Sequence, residues 1–255
     1  MLKLSDIALV RNREALAQIP AGKVLINTIN AHSYNTAQKD ELFAEALANG
    51  DYLIPDGASI VKACRWLRAK SQPQERIAGW DLFSFEMDHL ERKSEKLKVK
   101  SDDSKACLRV MFMGSSERVL SLIREKAATE YPNLEVVTYS PPYKPEFSDA
   151  DNQAIIEAIN QANPDLLWIG MTAPKQEKWA YGHWDELNIH CHVGTIGAVF
   201  DFFAGTYNRA PRWWLDHNLE WLYRFLKEPL VRRFGEQWYK ELEEVATQLG
   251  AGFEG

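Results

Sequence analysis

The chain has 255 residues with 30 Lys or Arg against 36 Asp or Glu, so its net charge is −6 at pH 7. This length suits one large α/β domain, or one domain with a small appendage. The acidic balance gives no general attraction to nucleic acid, and we expect no nucleic-acid partner.

Three scattered cysteines, Cys64, Cys107 and Cys191, form no CxxC pair and predict neither a disulfide framework nor a zinc site. The N-terminal sequence lacks the apolar core of a signal peptide, and no apolar run approaches the ~20 residues that span a bilayer. These features predict a cytoplasmic protein that is soluble or, at most, peripheral on a membrane.

Strand-like and helix-like stretches alternate along the chain, which predicts a mostly parallel sheet with helices on both faces. In chain order, the runs that predict strands are 23–29, 51–54, 108–113, 136–139, 166–170 and 192–196. Amphipathic segments lie between them; Ile60, Cys64 and Leu67, for example, share one helical face. The predicted fold is α/β and Rossmann-like.

A change in composition divides the chain. Residues 92–107 are rich in Lys, Ser and Asp and predict a flexible surface connection. We therefore expect an N-terminal α/β lobe with catalytic motifs over 1–91 and a Rossmann-like nucleotide-binding lobe over 108–204, with a cleft between the two lobes. Residues 205–255 are predicted to form a C-terminal helical appendage.

This C-terminal tail is basic and rich in aromatic residues, on an otherwise acidic protein. It could be an RNA surface, a membrane-interface surface or an ordinary packed helix pair. Trp and Tyr suit the headgroup region of a bilayer, and Arg and Lys attract anionic lipid. A mixed role, part packing and part membrane contact, fits this composition best.

Two polar motifs end apolar runs in the first half of the chain, Asn27-Thr28-Ile29-Asn30 and Pro55-Asp56-Gly57. Open α/β folds bind their ligands at the carboxyl ends of the strands, where these motifs fall. Asp56 lies between Pro and Gly on a stiff turn that would hold its carboxylate still without burying it. Asp56 is therefore the predicted catalytic base.

A turn at Gly114, between a predicted strand and a predicted helix, offers backbone N–H groups that could hold a phosphate. A single glycine is weak evidence, however, and Ser116 as an ordinary helix N-cap explains the same residues equally well.

The sequence Asp149-Ala150-Asp151 imitates the DxD metal motif of many nucleotide-sugar enzymes. Ser148 precedes it and a helical pattern follows, so a capped, acidic helix start is the better interpretation. We expect no metal there, and no cofactor.

The segment Ala173-Pro174-Lys175-Gln176-Glu177 follows a buried-looking strand and opens a helix. Lys175, Gln176 and Glu177 are therefore expected at the ligand edge of the sheet, although a well-capped helix start would have the same sequence. A Gln side chain there can donate and accept hydrogen bonds, as recognition of a uracil edge or of sugar hydroxyls requires.

Together these motifs resemble the WecG/TagA/CpsF family of bacterial glycosyltransferases, from about Val24 to Arg233. The matching pieces are NTIN (27–30), LIPDGASIV (53–61), ERIAGWDLF (75–83), WIGMTAPKQEKW (168–179), GAVFDFFAGTYNRAPRWW (197–214) and LEWLYRFLKEPLVRRF (219–234). Two features depart from the family pattern: residues 92–107 are longer and more polar than usual, and GSSE follows the central strand instead of the commoner GG.

The resemblance implies transfer of a sugar from a nucleotide diphosphate to a polyprenol-diphosphate-linked sugar at the cytoplasmic face of the membrane. It assigns the base to Asp56, with Thr28 as a second catalytic residue, and it places Arg76 and Gln176 in the pocket. The full set of substrate-binding candidates is Asn30, Gly57, Arg76, Gly114, Lys175, Gln176, Arg209, Arg224, Arg232 and Arg233.

The expected reaction is inverting, independent of metal, and uses a UDP-sugar whose sugar is N-acetylmannosamine, its uronic acid or a hexose. The sequence is compatible with a homo-oligomer as well as with a monomer. The alternative from another class is a noncatalytic peripheral scaffold of a polysaccharide assembly. A nucleotide-dependent oxidoreductase is a weaker rival, because the chain lacks GxGxxG with an acidic residue ~20 positions later.

Overall fold

The computed structural model describes residues 2–101 and 107–206 of the chain. Within them the strands are β1 (Val24–Ile29), β2 (Tyr52–Pro55), β3 (Leu108–Gly114), β4 (Leu134–Tyr139), β5 (Leu166–Gly170) and β6 (His192–Thr195). They form one sheet in the order β2-β1-β6-β5-β3-β4, and every neighbouring pair is parallel.

Helices connect the strands, as the alternating pattern predicts. They are α1 (Ala31–Ala37), α2 (Glu41–Asn49), α3 (Ala58–Trp66), α4 (Gly79–Ser101), α5 (Glu117–Glu130), α6 (Asp149–Ala162), α7 (Lys175–Gly182) and α8 (Gly197–Ala204). Short 3-10 helices occupy Arg13–Gln18 and Trp184–Glu186. The α/β, Rossmann-like prediction is confirmed.

Helices cover both faces of the sheet. Side chains alternate between the faces along each strand, so apolar strand residues occur on both and each face is buried by helices. On one face α4, α5 and α8 pack on strand residues that include Ile26, Phe112 and Trp168. On the other face α6 and α7 cover Met111 and Ile169, while α2 and α3 cover the end near β2. These apolar layers hold the strand ends in fixed positions.

The two predicted lobes share one sheet, because β6 from the second half pairs with both β1 and β5. The flexible connection expected over 92–107 is instead helical up to residue 101, where α4 ends. Buried Ser94 explains this difference, since its hydroxyl accepts from the Leu108 N–H at 3.1 Å and donates to the Asn133 carbonyl at 2.6 Å. Polar residues here serve helix packing, which their composition does not reveal.

The predicted C-terminal appendage, 205–255, lies outside the described residues apart from Gly205 and Thr206. The proposed domain boundaries therefore stay predictions. Among the helices of the described part, none has both the length and the apolar character needed to cross a membrane.

Candidate active site

The predicted polar motifs meet at one edge of the sheet. Since the strands are parallel, their carboxyl ends all lie on this edge, where open α/β folds bind their ligands. The candidates that the fold brings to this edge are Thr28, Asn30, Asp56, Gly57, Gly114, Lys175 and Gln176.

Asp56 directly follows β2 and is half-buried. Its backbone N–H donates to the carbonyl of Ile29 at 2.8 Å, so the hydrogen-bonded ladder between β1 and β2 extends to the aspartate itself. On the other side, the N–H of Ile77 donates to the carbonyl of Pro55 at 3.0 Å. These two bonds fix the backbone that carries the carboxylate, and the second brings Arg76 to the same strand end.

Gly57 follows Asp56 with a φ of 137°, a conformation that residues with a side chain rarely adopt. The chain can therefore turn sharply from β2 into α3 immediately after the aspartate. A Cβ atom on Gly57 would lie 3.8 Å from the Cβ of Asn30, which places the ends of the two motifs side by side.

Asn30 caps helix α1. Its Oδ1 accepts from the backbone N–H of Ser33 at 2.9 Å, and the Ser33 hydroxyl accepts from the N–H of Asn30 at 2.8 Å, which makes a reciprocal capping box. The cap uses Oδ1 and leaves Nδ2 outside it. Thr28, two residues earlier on β1 and half-buried, pairs in register with Ile54.

Gly114 ends β3 with a φ of 123°, and a Cβ there would lie only 2.2 Å from the carbonyl oxygen of Gly170. The glycine is therefore required by close packing of the β3 and β5 ends. Ser116 is the N-cap of α5 and accepts a hydrogen bond from the N–H of Val119, as the alternative to a phosphate site predicts. A phosphate-binding role for Gly114 stays a prediction.

Gln176 lies at the start of α7 and is only 4% exposed. Its Oε1 accepts from the N–H groups of Met171 and Gly197, each at 3.1 Å, and its Nε2 donates to Oε1 of Glu177 at 2.8 Å. The side chain thus ties the loop after β5 to the start of α8. The structure gives Gln176 a bracing role at the ligand edge, and contact with substrate stays a prediction.

Glu177 is a further group at this edge. It is 2% exposed, its Oε2 has no hydrogen-bond partner among the described residues, and burial raises the pKa of its carboxyl from 4.5 to about 7. The motif APKQEKW places Glu177 at the edge, but nothing in that pattern predicts a buried carboxyl group.

Lys175 turns towards the loop before α6. Its Nζ donates to the carbonyl of Lys144 and lies 3.4 Å from the ring centroid of Phe147. Burial lowers the pKa of this ammonium group. Its predicted role in substrate binding would require it to exchange these contacts for a ligand.

Asp149 and Asp151 begin helix α6, as the sequence predicts. Ser148 and Asp151 form a capping box, and Lys144 lies 2.7 Å from Asp151. The hydrogen bonds of Lys144 and Ser148 lower the pKa of Asp151 to about 2. Among the described residues no cluster of three His, Cys, Asp or Glu side chains could hold a metal ion.

The remaining candidates, Arg209, Arg224, Arg232 and Arg233, lie outside the described residues. The structure thus brings the motifs of the first half and the Gly114 and Gln176 segments to one edge, and it gives no information on the predicted arginines of the tail.

Comparison with known proteins gives a family and several relatives. The model of the glycosyl transferase WecG/TagA/CpsF family matches residues 3–242. A Bacillus subtilis (strain 168) protein, named N-acetylglucosaminyldiphosphoundecaprenol N-acetyl-beta-D-mannosaminyltransferase, is 30% identical over 80% of this chain and 72% of its own length. Relatives with the same name from Bacillus spizizenii W23 and Staphylococcus aureus MW2 are each 27% identical, over 80% of this chain and 71% and 72% of their own lengths.

Proposed function

The chain belongs to the glycosyl transferase WecG/TagA/CpsF family and is a glycosyltransferase, and we propose that it transfers N-acetylmannosamine from a UDP-sugar to a polyprenol-diphosphate-linked N-acetylglucosamine. The acceptor and the transferred sugar follow the names of its relatives. The uronic acid of N-acetylmannosamine and hexoses are the alternative donor sugars. Membership of an enzyme family favours catalysis over the noncatalytic scaffold.

The observation that carries the mechanism is the fixed position of Asp56. Its backbone is bonded to β1, its neighbour Gly57 approaches Asn30, and the loop that contains Arg76 is bonded to Pro55. A carboxylate held at a strand end with hydrogen-bonding groups around it suits general-base catalysis, which typically contributes ~10²–10⁴-fold to a rate.

In the proposed step, Asp56 takes the proton of an acceptor sugar hydroxyl as that oxygen attacks the anomeric carbon of the donor. The new carbon–oxygen bond forms while the bond from the anomeric carbon to the diphosphate breaks, and UDP leaves with that electron pair. A single displacement of this kind inverts the configuration at the anomeric carbon. Thr28 and the Nδ2 group of Asn30 would orient the sugar hydroxyls.

The leaving diphosphate carries negative charge that the protein has to stabilise. The first N–H groups of α5, after Gly114, suit this role because a helix N-terminus attracts anions. The arginines of the tail would add bidentate contacts. The caps and ion pair that engage the Asp149–Asp151 segment do not favour a metal-binding DxD motif, so the proposed mechanism uses no metal.

A donor screen tests this function. The full chain is incubated with a short-chain polyprenol-diphosphate N-acetylglucosamine and, separately, UDP-linked N-acetylmannosamine, its uronic acid, glucose or glucuronic acid. We expect UDP release and a product heavier by one N-acetylmannosamine residue, with inverted anomeric configuration by NMR. Retention of configuration would contradict the single displacement, and absence of a product with every donor would contradict the proposed substrates.

A further inference from the structure

The end of helix α3 presents an exposed surface that the catalytic proposal does not use. It consists of Lys62, Arg65, Trp66, Leu67 and Arg68, called here the α3 surface. All five residues are exposed, and the two apolar ones are 83% exposed at Trp66 and 57% at Leu67. Single exposed apolar residues are common, but two large adjacent ones among three cations are not scattered exposure.

The core fixes this orientation. On the opposite side of α3, Ile60 and Cys64 pack into the cluster formed with α2 and β2, and Val61 is buried as well. Because residues three and four apart share a helical face, burying these positions turns Lys62, Arg65 and Trp66 outward. The tryptophan therefore stays on the surface as long as the fold is intact.

The chain ends α3 in an unusual way at Arg68, whose φ is +48°. The N–H of Ala69 donates to the carbonyl of Cys64 and the N–H of Arg68 to that of Arg65, the paired bonds of a Schellman motif. Glycine usually occupies this left-handed position, because a side chain there costs ~1–2 kcal/mol. An arginine is present instead, and it is the last residue of the α3 surface.

The charged residues in this stretch of the sequence are all basic. No acidic residue occurs between positions 57 and 74, whereas Lys62, Arg65, Arg68 and Lys70 fall in that stretch. Lys70 is paired with Asp6 at 2.9 Å. The α3 surface is therefore a local positive region on a protein whose net charge is −6.

We propose that the α3 surface docks the enzyme on an anionic lipid bilayer, with Trp66 and Leu67 in the headgroup region and the three cations against lipid phosphates. Charge complementarity supports this occupant, since each basic residue near an anionic membrane contributes ~1 kcal/mol. Tryptophan is enriched at the membrane–water interface, where its ring and its N–H group are both accommodated.

The α3 surface is separated from the proposed base by the length of one short helix. Helix α3 begins immediately after Asp56 and Gly57, and its nine residues extend over about 13 Å. A bilayer in contact with the last turn of α3 would lie within one short helix of the proposed base. The inference deepens the proposed function, because it rests on the lipid-linked acceptor and names the surface that would meet the lipid.

Vesicle flotation of the full chain, without donor or acceptor, tests this surface. The probes are vesicles of phosphatidylcholine alone and vesicles that also contain phosphatidylglycerol. We expect preferential binding to the anionic vesicles, reduced about fivefold by Arg65→Ser, as ~1 kcal/mol per cation implies, and at least as much by Trp66→Ala. Arg118→Ser, on α5, and Tyr143→Ala, in the loop before α6, change exposed residues elsewhere; they are the matched controls and should bind as wild type does.

Arg68→Gly separates docking from folding. Glycine relieves the left-handed conformation, so this variant should be at least as stable to heat as wild type while binding anionic vesicles several-fold more weakly. Equal binding by the wild type and the α3 variants would overturn the proposal, as would equal losses in the two controls. A change in oligomeric state on light scattering, without a change in vesicle binding, would instead identify a protein interface.

Activity on a water-soluble short-chain acceptor distinguishes the two proposals. If docking is correct, the α3 variants retain this activity and lose it selectively on acceptor embedded in anionic vesicles. If the wild type shows no transfer with any donor, the proposed function fails while the flotation result still decides the docking surface.

Discussion

The side chains of Gln176 and Glu177 form a buried hydrogen bond of 2.8 Å at the ligand edge, and the same Gln176 side chain holds the N–H groups of Met171 and Gly197. Glu177 therefore supports a residue that joins the loop after β5 to helix α8. Its own second oxygen has no partner among the described residues. A carboxyl group in this position resists ionisation, because burial disfavours the charged form.

We expect Glu177 to make stability fall as the pH rises from about 4.5 to about 7. The pKa of its carboxyl is about 7 in the folded protein and near 4.5 when unfolded, so across this window the folded state holds more protons. Above pH 7 the cost reaches about 3 kcal/mol. Glu177→Gln keeps an acceptor for Gln176 and cannot ionise, so its free energy of unfolding at pH 8 should exceed that of wild type.

Urea unfolding between pH 4.5 and 8.5 measures this difference. Glu177→Ala is the control for packing, since it leaves Nε2 of Gln176 without its acceptor and should destabilise the protein at every pH. Parallel pH profiles for wild type and Glu177→Gln would show that the carboxyl group is not buried in the way the structure describes.

Gly114→Ala should destabilise the fold by about 2–5 kcal/mol, because the new methyl group would meet the Gly170 carbonyl at 2.2 Å and the φ of 123° disfavours a side chain. Gly182→Ala is the matched control, since nothing lies within 4 Å of its Cβ position and it ends a helix. That substitution should change stability by at most ~1 kcal/mol. Chemical denaturation of both variants makes the comparison, and equal effects would refute the close β3–β5 approach.

The pair of His192 and Glu86 should add a second pH dependence at higher pH. Burial opposes the charge of the imidazole and would lower its pKa. The hydrogen bond that the ring donates to Glu86 at 2.9 Å, the charge of Glu86 and the carbonyl of Pro20 outweigh burial and a small opposing effect of Lys93, so the pKa of His192 is raised above 6.5. The contribution of this pair to the free energy of unfolding is complete below pH 6.5, and it is lost as the pH rises through the higher pKa that His192 has in the folded protein. Glu86→Gln should flatten this part of the stability profile, and thermal melts from pH 6 to 9 measure it.

Asp56→Asn should lower kcat by two to four orders of magnitude while donor affinity changes little, because the amide cannot accept the acceptor's proton. Asp149→Asn makes the same chemical change at the exposed start of α6 and should retain full activity. Steady-state kinetics at varied donor concentration measure kcat and the effect on donor affinity for both variants. Near-normal turnover of Asp56→Asn would remove Asp56 as the base, and loss of activity in Asp149→Asn would revive the DxD interpretation.

Asn30→Ser tests the amide of Asn30 apart from its cap. Serine at an N-cap also accepts from the helix N–H groups, so α1 and the melting temperature should be nearly unchanged. The lost Nδ2 donor should reduce kcat/KM by about tenfold, the value of one hydrogen bond of ~1.4 kcal/mol to substrate. Unchanged kinetics would restrict Asn30 to capping.

The positions of the strands could be predicted from the sequence alone, because a short apolar run between polar turns indicates a buried strand without reference to distant residues. The prediction for 166–170 matches β5 at both ends, and 108–113 misses only Gly114 of β3. The same reasoning brought Asp56 and Asn30 to the carboxyl edge, since every parallel strand contributes its end to one side of the sheet. Helix caps at Ser116 and Ser148 are likewise local, and both are present.

Other features depend on contacts between residues far apart in the chain, and only the tertiary structure decided them. The insertion of β6 between β1 and β5 comes from pairing across more than 160 positions, which no local pattern encodes. Ser94 looks like part of a solvated connection until Leu108 and Asn133 surround it. The bracing role of Gln176 and the burial of Glu177 arise in the same way, because hydrogen bonding and desolvation are set by neighbours that the fold supplies.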